Sequence, residues 1–505
     1  MIILRINLYD PETEKYRLCF LHIEQGLIKT IRDTNDIDHD LSFIDLTDLY
    51  AYPSFIDAHC HLINLGKQLH DPPLDKIVEI DELTETIRYC DDEIVYLRGW
   101  KPFAAPFLLN RSLLDRIDPK RAVLLMGKCG HVGYINSKAI QLFGLLPYDG
   151  MDGSDLSAGF LRERLLDVAR SFISFSPEQL KKYLSLASSH CIKYGITSVH
   201  SDDWNAATAK HLIQILSNQY SLRIYEHLNL SPPFSISWAK KNLSVLTHSS
   251  DFFSLSSFKW ILDGSLGGRS AFLSSPYHDA PNERGVLYYT LPELADILEK
   301  SEELGFTSVM HVIGDEALTI ALNAFSRSVS LNNSLQHRLL HLQMASENQI
   351  NEMVRRNIFV SIQPVFFDAD QEMALSRLGP ARMSKLSYPF AQMENAGVSM
   401  SISTDAPIES INPFKNIVSA ERFMTRKKAF QAYTIAASKS AFQQKKLGRI
   451  QKEGFADLFF LEEDLFSIPS QQLPFIQPVF TMFHGSWTNS PPPPHKPNSG
   501  SPLTF

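Results

Sequence analysis

The stretch PELADILEKSEELGFTSVMHVIGDEALTIALNAFSRS, residues 292–328, places an apolar run between two helix-like segments. The central run, FTSVMHVIGD at 306–315, is apolar and β-branched, which is typical of a buried strand. The segments on either side show helical spacing of their apolar residues. Alternation of this kind predicts parallel β/α units.

The same alternation continues across residues 53–440. It includes GITSVHSDD at 195–203, AATAKHLIQILSNQ at 206–219, LRIYEHLNL at 222–230, IFVSIQP at 358–364 and VSMSIST at 398–404. So many units fit a (β/α)₈ barrel better than an open sheet. An open Rossmann-type sheet would also need a glycine-rich phosphate loop after its first strand, and no such loop follows SFIDAHCH at 54–61.

Three regions depart from the alternation. Residues 1–52 and 441–488 contain short β-like runs, among them YRLCFLHIE at 16–24 and ADLFFLEED at 456–464, and we expect both ends to meet in a small β-sandwich. Residues from about 66 to 180 are interpreted as an insertion folded over the barrel mouth. The tail at 489–505 is rich in Pro, Ser and Asn and is expected to be disordered.

Composition limits the partners and the compartment. A net charge of −8 and a pI near 6.1 argue against nucleic acid and anionic membranes, which need basic surfaces. The five cysteines are scattered without a C-x-x-C motif, which suits a reducing cytoplasm. Neither a signal peptide nor a long apolar run is evident. The expected partner is a small-molecule substrate, with a homodimer as the candidate assembly.

Polar residues close several of the apolar runs. In a barrel of this class, catalytic residues lie at the carboxyl ends of strands. The stretch FIDAHCHL at 55–62 carries two histidines whose i, i+2 spacing points both rings to one side of a strand. The full set, spaced so that a barrel can gather it into one ring, is His59, His61, Lys259, His311, His341 and Asp405. Nitrogen and carboxylate ligands of this kind favour Zn²⁺ or a similar divalent ion.

Six motifs in order give a resemblance to a known family. They are YPSFIDAHCHL (52–62), GHVGYINSKAI (130–140), GITSVHSDD (195–203), KWILDGSLGGRSAFL (259–273), HVIGDEAL with HRLLH (311–318 and 337–341) and STDAPIESINPFKNI (403–417). Together they resemble the N-substituted formamide deformylase-like branch of the amidohydrolase superfamily, amidohydrolase family three, over roughly residues 1–485. The resemblance implies a (β/α)₈ barrel with a small β-sandwich from both chain ends. It also implies a centre of one or two metal ions that hydrolyses a C–N bond.

The sequence departs from the family pattern at three positions. Ser54 replaces a usual glycine, Leu340 stands where an acidic residue is common, and Thr404 precedes Asp405 in place of a serine. The expected ligands are unaffected by these changes.

The resemblance assigns roles to the polar residues, each with a plainer alternative. Lys259 is expected to bind CO₂ as a carbamate that bridges two metals, because burial favours a neutral, reactive amine; the alternative is a lysine at the surface or paired with Asp263. His311 and His341 are expected ligands, and structural core histidines are the alternative. Asp405 is the expected general base and acid, and a helix cap is the alternative.

Five further residues are expected at the site with supporting roles. His200 is a candidate for the pocket wall and the next candidate proton carrier after Asp405. Residues His131 and Asn136 are expected to line the site from the insertion. The pair Asp263 and Arg269 would orient substrate or shape their glycine-rich loop.

The predicted function is hydrolysis of an amide-type, non-peptide C–N bond of a small molecule by metal-activated hydroxide. Two alternatives remain open at this point. One is a deaminase that acts on an amidine or an aromatic amine, and the other is a barrel that binds a ligand without turnover.

Overall fold

The computed structural model describes residues 2–33, 42–90, 92–100, 107–128, 130–203, 221–230, 235–242 and 249–488. The helix predicted at 206–219 and the tail at 489–505 lie outside these ranges. Within them, no helix has the length and apolar character needed to cross a membrane.

The described residues form nineteen strands, numbered here in chain order. They are β1 (Ile2–Asp10), β2 (Lys15–Glu24), β3 (Leu27–Asp33), β4 (Ile44–Pro53), β5 (Phe55–Cys60), β6 (Ile94–Trp100), β7 (Ala122–Gly127), β8 (Val132–Ile135), β9 (Phe160–Arg162), β10 (Ile196–Ser201), β11 (Arg223–Asn229), β12 (Phe253–Ile261), β13 (Thr307–Val312), β14 (Arg338–His341), β15 (Phe359–Ile362), β16 (Ser399–Ile402), β17 (Leu458–Leu461), β18 (Phe480–Phe483) and β19 (Ser486–Trp487).

The α-helices of the described residues cover Leu62–His70, Ile80–Tyr89, Arg111–Ile117, Ser137–Leu142, Glu163–Arg170, Pro177–Ile192, Ile236–Lys241, Leu291–Leu304, Asp315–Ser328, Glu347–Arg355, Pro364–Leu386, Phe390–Ala396, Pro413–Ala420, Arg426–Gln431 and Ala437–Ser440. Local sequence explains many of their ends. The helix Leu291–Leu304 starts at a capping box of Thr290 and Glu293 and stops at Gly305, whose φ of 72° is easy for glycine.

Eight parallel strands form the barrel and confirm the predicted (β/α)₈ fold. Strands β5 and β10–β16 pair in chain order. Every residue of β5, β10 and β13 is buried, because parallel strands are covered on both faces. At the carboxyl ends, the backbone N–H of Asp405 donates to the carbonyl of His59 (2.9 Å), and that of His61 donates to the carbonyl of Ala406 (2.7 Å). These bonds bring the ends of the first and last strands together.

Both ends of the chain contribute to one seven-stranded sheet in the order β19-β18-β17-β4-β1-β2-β3. Strand β4 joins the two contributions, because it pairs in parallel with β1 and antiparallel with β17. Apolar side chains from both ends share its core, among them Leu4, Ile6, Leu458 and Phe460. Only Ser54 separates β4 from β5, so this sheet leads directly into the barrel.

A separate α/β unit is inserted between β5 and β10. Its four strands pair in the order β6-β7-β8-β9. Apolar clusters lie on both faces of this sheet, one around Leu124 and Leu161 and the other around Leu97 and Leu125. Side chains of this unit reach the cavities at the barrel mouth.

Candidate metal centre and its two cavities

The barrel gathers the six strand-end residues that were predicted as ligands. Nε2 of His59 and Nε2 of His61 lie 3.1 and 3.0 Å from Oδ1 of Asp405. The His341 ring lies 5.4 Å from that of His59 and 4.4 Å from that of His311, measured between ring centroids. Lys259 shares a small cavity with all five. The structure therefore brings the predicted set into one place.

Asp202 belongs to the same centre and was missed by the sequence analysis. It follows β10 directly, and one carboxylate oxygen contacts Nδ1 of His61 while the other contacts Nζ of Lys259. The rule that found the other ligands, a polar residue after an apolar strand, applies to Asp202 as well. Two groups among the described residues have ligand atoms within 4.8 Å of one another: His59, His61 and Asp202, and His59, His341 and Asp405.

Unsatisfied polar atoms provide a test of whether these residues fit a metal ion. Five buried atoms of the described residues at the centre have no hydrogen-bond partner: Nδ1 and Nε2 of His59, Nε2 of His341, Oδ1 of Asp202 and Oδ1 of Asp405. Leaving buried polar atoms unpaired is costly. Atoms that crowd within about 3 Å without hydrogen-bond geometry are arranged as ligands of a common cation, and imidazole and carboxylate suit Zn²⁺.

Neighbouring groups fix the orientation of the ligands. Asp57 accepts hydrogen bonds from the backbone N–H of His59 (3.1 Å) and from the hydroxyl of Thr404 (2.6 Å), so it joins the ends of β5 and β16. Nδ1 of His341 lies 2.8 Å from Oε1 of Gln363. This carbonyl oxygen can only accept, so Nδ1 carries the proton and Nε2 faces the other ligands.

The electrostatics of the centre favour a bound cation. Burial lowers the pKa of His311 and brings that of His341 to about 3, which keeps both rings neutral. Burial would lower the pKa of His61 too, but Asp202 and Asp405 raise it to about 10. Burial would raise the pKa of Asp405, but the neighbouring rings of His59 and His61 hold it well below its usual value. The site therefore attracts positive charge, whether a proton or a metal ion.

Neither of the plainer alternatives for Lys259, a position at the surface or a pair with Asp263, matches the structure. Lys259 pairs with Asp202 and not with Asp263. The carboxylate of Asp263 is fully buried and accepts three backbone hydrogen bonds, from Phe272, Ile313 and Gly314 at 2.7–3.0 Å. It therefore ties the loop after β12 to the loop after β13.

The remaining predicted residues fall into two groups. His131 and Arg269 line the cavities described below, although Arg269 also pairs with Asp279 at 3.0 Å. Two others are not brought to the cavities among the described residues. The amide of Asn136 is buried and caps the helix Ser137–Leu142, and Nδ1 of His200 accepts a hydrogen bond from Arg338 (2.9 Å).

Two cavities meet at the ligands. The wide cavity, about 1070 Å³, reaches His131, His311, His341 and Asp405, and much of its wall is apolar: Trp100, Phe107, Leu109, Tyr134, Phe160, Leu266, Ile313, Phe366 and Met373. The narrow cavity, about 90 Å³, borders all the predicted ligands, and charged and polar side chains of the inserted unit form much of its remaining wall: Arg98, His131, Glu163, Asp167 and Arg170.

Glu163 is a second residue that the sequence analysis missed. It is buried, accepts a hydrogen bond from Tyr288 (2.8 Å) and lies 2.9 Å from Nδ1 of His131. Burial would lower the pKa of His131, but Glu163 raises it above the ordinary value. His131 is therefore held near the ligands as a hydrogen-bond donor. Glu163 directly follows β9 and begins a helix in the inserted unit, but that strand is only three residues long and does not stand out in the sequence as an apolar run.

Comparisons with known proteins agree with this geometry. The chain matches the model of the amidohydrolase family over residues 42–488. It is 26% identical to "Putative amidohydrolase YtcJ" of Bacillus subtilis strain 168, a match that covers 95% of this chain and 97% of the relative. It is also 23% identical to the N-substituted formamide deformylase of Arthrobacter pascens, with 88% of this chain and 89% of the relative covered.

A solved structure shares the whole fold. An uncharacterized metal-dependent hydrolase from Pyrococcus furiosus superimposes on the chain with a TM-score of 0.76 at 25% identity. The match covers 92% of this chain and 99% of that one.

Proposed function

The chain belongs to the amidohydrolase family and is a metal-dependent hydrolase, and from that premise we propose that it hydrolyses an amide-type C–N bond of a small molecule. The observation that carries the proposal is the buried carboxylate of Asp405. Its Oδ1 lies 3.0–3.1 Å from Nε2 of two imidazoles and has no hydrogen-bond partner, and its pKa is well below the usual value. The name of the A. pascens relative supports the choice of bond.

The residues present fit one or two ions of Zn²⁺ or a similar metal. His59, His341 and Asp405 would hold one ion, and His61, Asp202 and His59 are the donors nearest a second position. A divalent ion bound there lowers the pKa of a water molecule and polarises a carbonyl oxygen. His311 stands beside His341 and completes the set of imidazoles.

Asp405 is proposed to move the proton. Its carboxylate accepts a proton from the attacking water, whose oxygen bonds to the carbonyl carbon, and it then gives that proton to the departing nitrogen. One amide and one water thus become one carboxylic acid and one amine. His131, kept protonated by Glu163, would donate a hydrogen bond to the substrate oxygen as negative charge develops there.

Lys259 is proposed to carry a carbamate. The ammonium would first lose one proton; the nitrogen of the resulting amine would then bond to CO₂ and lose a second proton. An anionic oxygen ligand thereby replaces a cation. The contact of Lys259 with Asp202, a member of one ligand group, supports this position. A carbamate would make the centre suited to two ions, and an unmodified lysine would leave it suited to one.

The experiment is a screen of metal-loaded protein against a panel of N-formyl and N-acyl amines, with the release of free amine as the readout. We expect amine release that stops after chelation and returns when Zn²⁺ is added back. Release of ammonia from amidines or aromatic amines, without cleavage of any amide, would identify a deaminase. Binding of panel members without turnover would identify a ligand-binding barrel.

A further inference from the structure

We infer that Asp203 is a positioning residue for His61: from the end of β10 it caps the helix that starts directly after His61, and it thereby holds this imidazole among the metal ligands. The inference rests on the proposed metal centre and adds a residue that acts through His61. It is carried by the missing side-chain cap of the helix Leu62–His70, by the bonds that replace this cap and by the place of His61 at the helix start.

The helix Leu62–His70 begins at a metal ligand. His61 is its N-cap residue, and the carbonyl of His61 accepts a helical hydrogen bond from the backbone N–H of Leu65 (2.8 Å). An N-cap side chain usually accepts from the backbone N–H groups of the second or third helical residue. The imidazole of His61 makes no such bond, because its ring nitrogens face Asp202 and Asp405. The helix therefore needs another acceptor at its start.

Water has little access to the first N–H groups of this helix. Leu62, Ile63 and Asn64 are 1%, 3% and 7% exposed. A buried backbone N–H without a partner is costly, so these groups require acceptors from the protein. The first turn also carries no acidic side chain that would complement the positive end of the helix dipole. A carboxylate from another segment would meet both needs.

Residues at the end of β10 supply the missing bonds. The hydroxyl of Ser201 accepts from the backbone N–H of Leu62 (3.2 Å). One carboxylate oxygen of Asp203 accepts from the backbone N–H groups of Ile63 (2.5 Å) and Asn64 (3.4 Å), and the other accepts from the side-chain amide of Asn64. These are the bonds that an N-cap side chain normally makes, and here they come from a residue 140 positions after Ile63.

The two aspartates that follow β10 have different tasks. Asp202 contacts Nδ1 of His61 and Nζ of Lys259. Asp203 faces the helix start instead, and its side chain is 1% exposed. Oδ1 of Asp203 lies 3.9 Å from Nδ1 of His61, which is too far for a hydrogen bond. Asp203 therefore acts on His61 through the helix rather than through the ring.

The backbone of His61 is fixed on both sides. Its N–H donates to the carbonyl of Ala406 (2.7 Å), the residue after the ligand Asp405, and its carbonyl belongs to the helix that Asp203 caps. These two anchors set the direction in which the imidazole leaves the chain. Loss of the cap leaves the first turn free to fray, so the ring spends less time in the orientation that binds metal. Groups that orient a ligand typically contribute a factor of about 10 to 100 to metal affinity.

The test titrates metal-free protein with Zn²⁺ in the absence of substrate. Asp203→Ala should raise the Kd for Zn²⁺ roughly 10- to 100-fold, because the cap that orients His61 is lost. Asp203→Asn keeps an oxygen that can accept from Ile63 and Asn64, so its Kd should stay within about threefold of the wild-type value. An equal loss in the two variants would show that negative charge near the ion, rather than the cap, is responsible, and the inference would be wrong.

A double-mutant cycle shows whether Asp203 acts through His61. His61→Ala removes the imidazole, so adding Asp203→Ala to it should raise the Kd further by less than about threefold. A further rise of about tenfold or more would mean that Asp203 affects the ion independently of His61, which would overturn the inference. At saturating Co²⁺, the visible absorption bands of Asp203→Ala should shift toward those of His61→Ala. Bands identical to those of the wild type would contradict the inference as well.

Thr425→Ala is the matched control, because the hydroxyl of Thr425 caps the helix Arg426–Gln431 through the N–H of Lys428 (3.3 Å) and lines neither cavity. It should lose a cap of the same kind and keep its Kd for Zn²⁺; an equal rise in Kd would mean that any lost cap weakens the centre, against the inference. Thermal midpoints of the metal-free variants establish that each is folded. Because no readout uses a substrate, hydrolysis could fail on every amide of the panel while the result for Asp203 stood.

Discussion

Two histidine clusters lie inside the barrel, and they differ in what their ring nitrogens meet. In the mouth cluster, defined as His59, His61, His311 and His341, Nε2 of both His59 and His341 is buried without a hydrogen-bond partner. In the arginine cluster, defined as His200, His227 and Arg338, the guanidinium donates to Nδ1 of His200 (2.9 Å) and to Nε2 of His227 (3.4 Å). Nε2 of His200 is also buried without a hydrogen-bond partner, but because Nδ1 accepts, Nε2 carries the ring proton and has no free lone pair.

The contrast teaches how to recognise a ligand histidine before any ion is seen. Burial lowers the pKa of His200 and His227, and Arg338 lowers each further, so these rings are neutral like those of His311 and His341. Neutral, buried imidazole is therefore not sufficient. A lone pair that points at other unpaired acceptors marks the metal site, whereas a lone pair that accepts from an arginine marks a structural role.

The largest expected effect is the loss of catalytic rate when Asp405, the carboxylate that the mouth cluster surrounds, is replaced. Asp405→Asn keeps an oxygen that can bind metal but cannot accept a proton. We expect kcat to fall by roughly 10²–10⁴, the usual contribution of a general acid–base group, while most of the metal stays. Rate and metal content are measured together, with Asp296→Asn on an exposed helix as control. An unchanged kcat would show that another group carries the proton.

Metal binding should separate the two clusters directly. We expect His59→Ala to lose most of the bound metal, because His59 belongs to both ligand groups. His227→Ala should keep its metal and lose about 1–3 kcal/mol of unfolding free energy, the cost of leaving buried partners unpaired. Elemental analysis and denaturant unfolding of both variants provide the comparison. Equal metal content in the two variants would mean that the mouth cluster is structural as well.

Two buried cations of the barrel strands, Lys259 and Arg338, extend the same comparison. Lys259→Ala should lower metal content and rate together, and short carboxylic acids should restore part of both if a carbamate oxygen is missing. Arg338→Met should leave metal content unchanged, because its partners are His200, His227 and Ser440. Full metal and full activity in Lys259→Ala would exclude a two-ion centre that depends on this lysine.

The smallest expected effect is on the pH dependence of stability. His200 has a pKa well below its ordinary value in the folded protein, so below about pH 6.5 the unfolded chain binds a proton that the folded chain does not. Its contribution to stability is therefore complete above pH 6.5 and is lost as pH falls, by up to about 1.4 kcal/mol per pH unit.

His200→Gln should make the stability of the metal-free protein less sensitive to pH between 7.5 and 5.5. The measurement is the unfolding midpoint in urea at several pH values for wild type and variant. An identical slope in the two proteins would mean that the pKa of His200 is the same in the folded and unfolded states.

The order of strands and the identity of most strand-end residues were predictable because both follow from local rules. Alternating apolar strands and amphipathic helices favour parallel β/α units, and parallel strands end at the same rim of a barrel. That reasoning named His59, His61, Lys259, His311, His341 and Asp405, and the structure brings all six to one narrow cavity.

Near the end of β10 the same rule named His200 but not Asp202. His200 was named as a site residue, yet Asp202, two positions later, contacts His61 and Lys259. Two residues of strand correspond to roughly 6–7 Å along the strand. That distance separates the side chain of His200, which bonds to Arg338, from that of Asp202, which reaches the ligands. How far each residue lies from the barrel mouth is set by the register of its strand with the neighbouring strands.

The sequence by itself determined the barrel, the meeting of both chain ends in one sheet and the types of side chain at the centre. Strand periodicity and the polar residues at strand ends are both visible in contiguous stretches of the sequence. Only the tertiary structure decided which residues of the inserted unit reach the centre. Asn136 caps a helix, whereas Arg98 and Glu163 face the narrow cavity. These outcomes depend on how a separately folded α/β unit docks over the barrel mouth, and contacts between distant segments leave no periodic pattern in the chain.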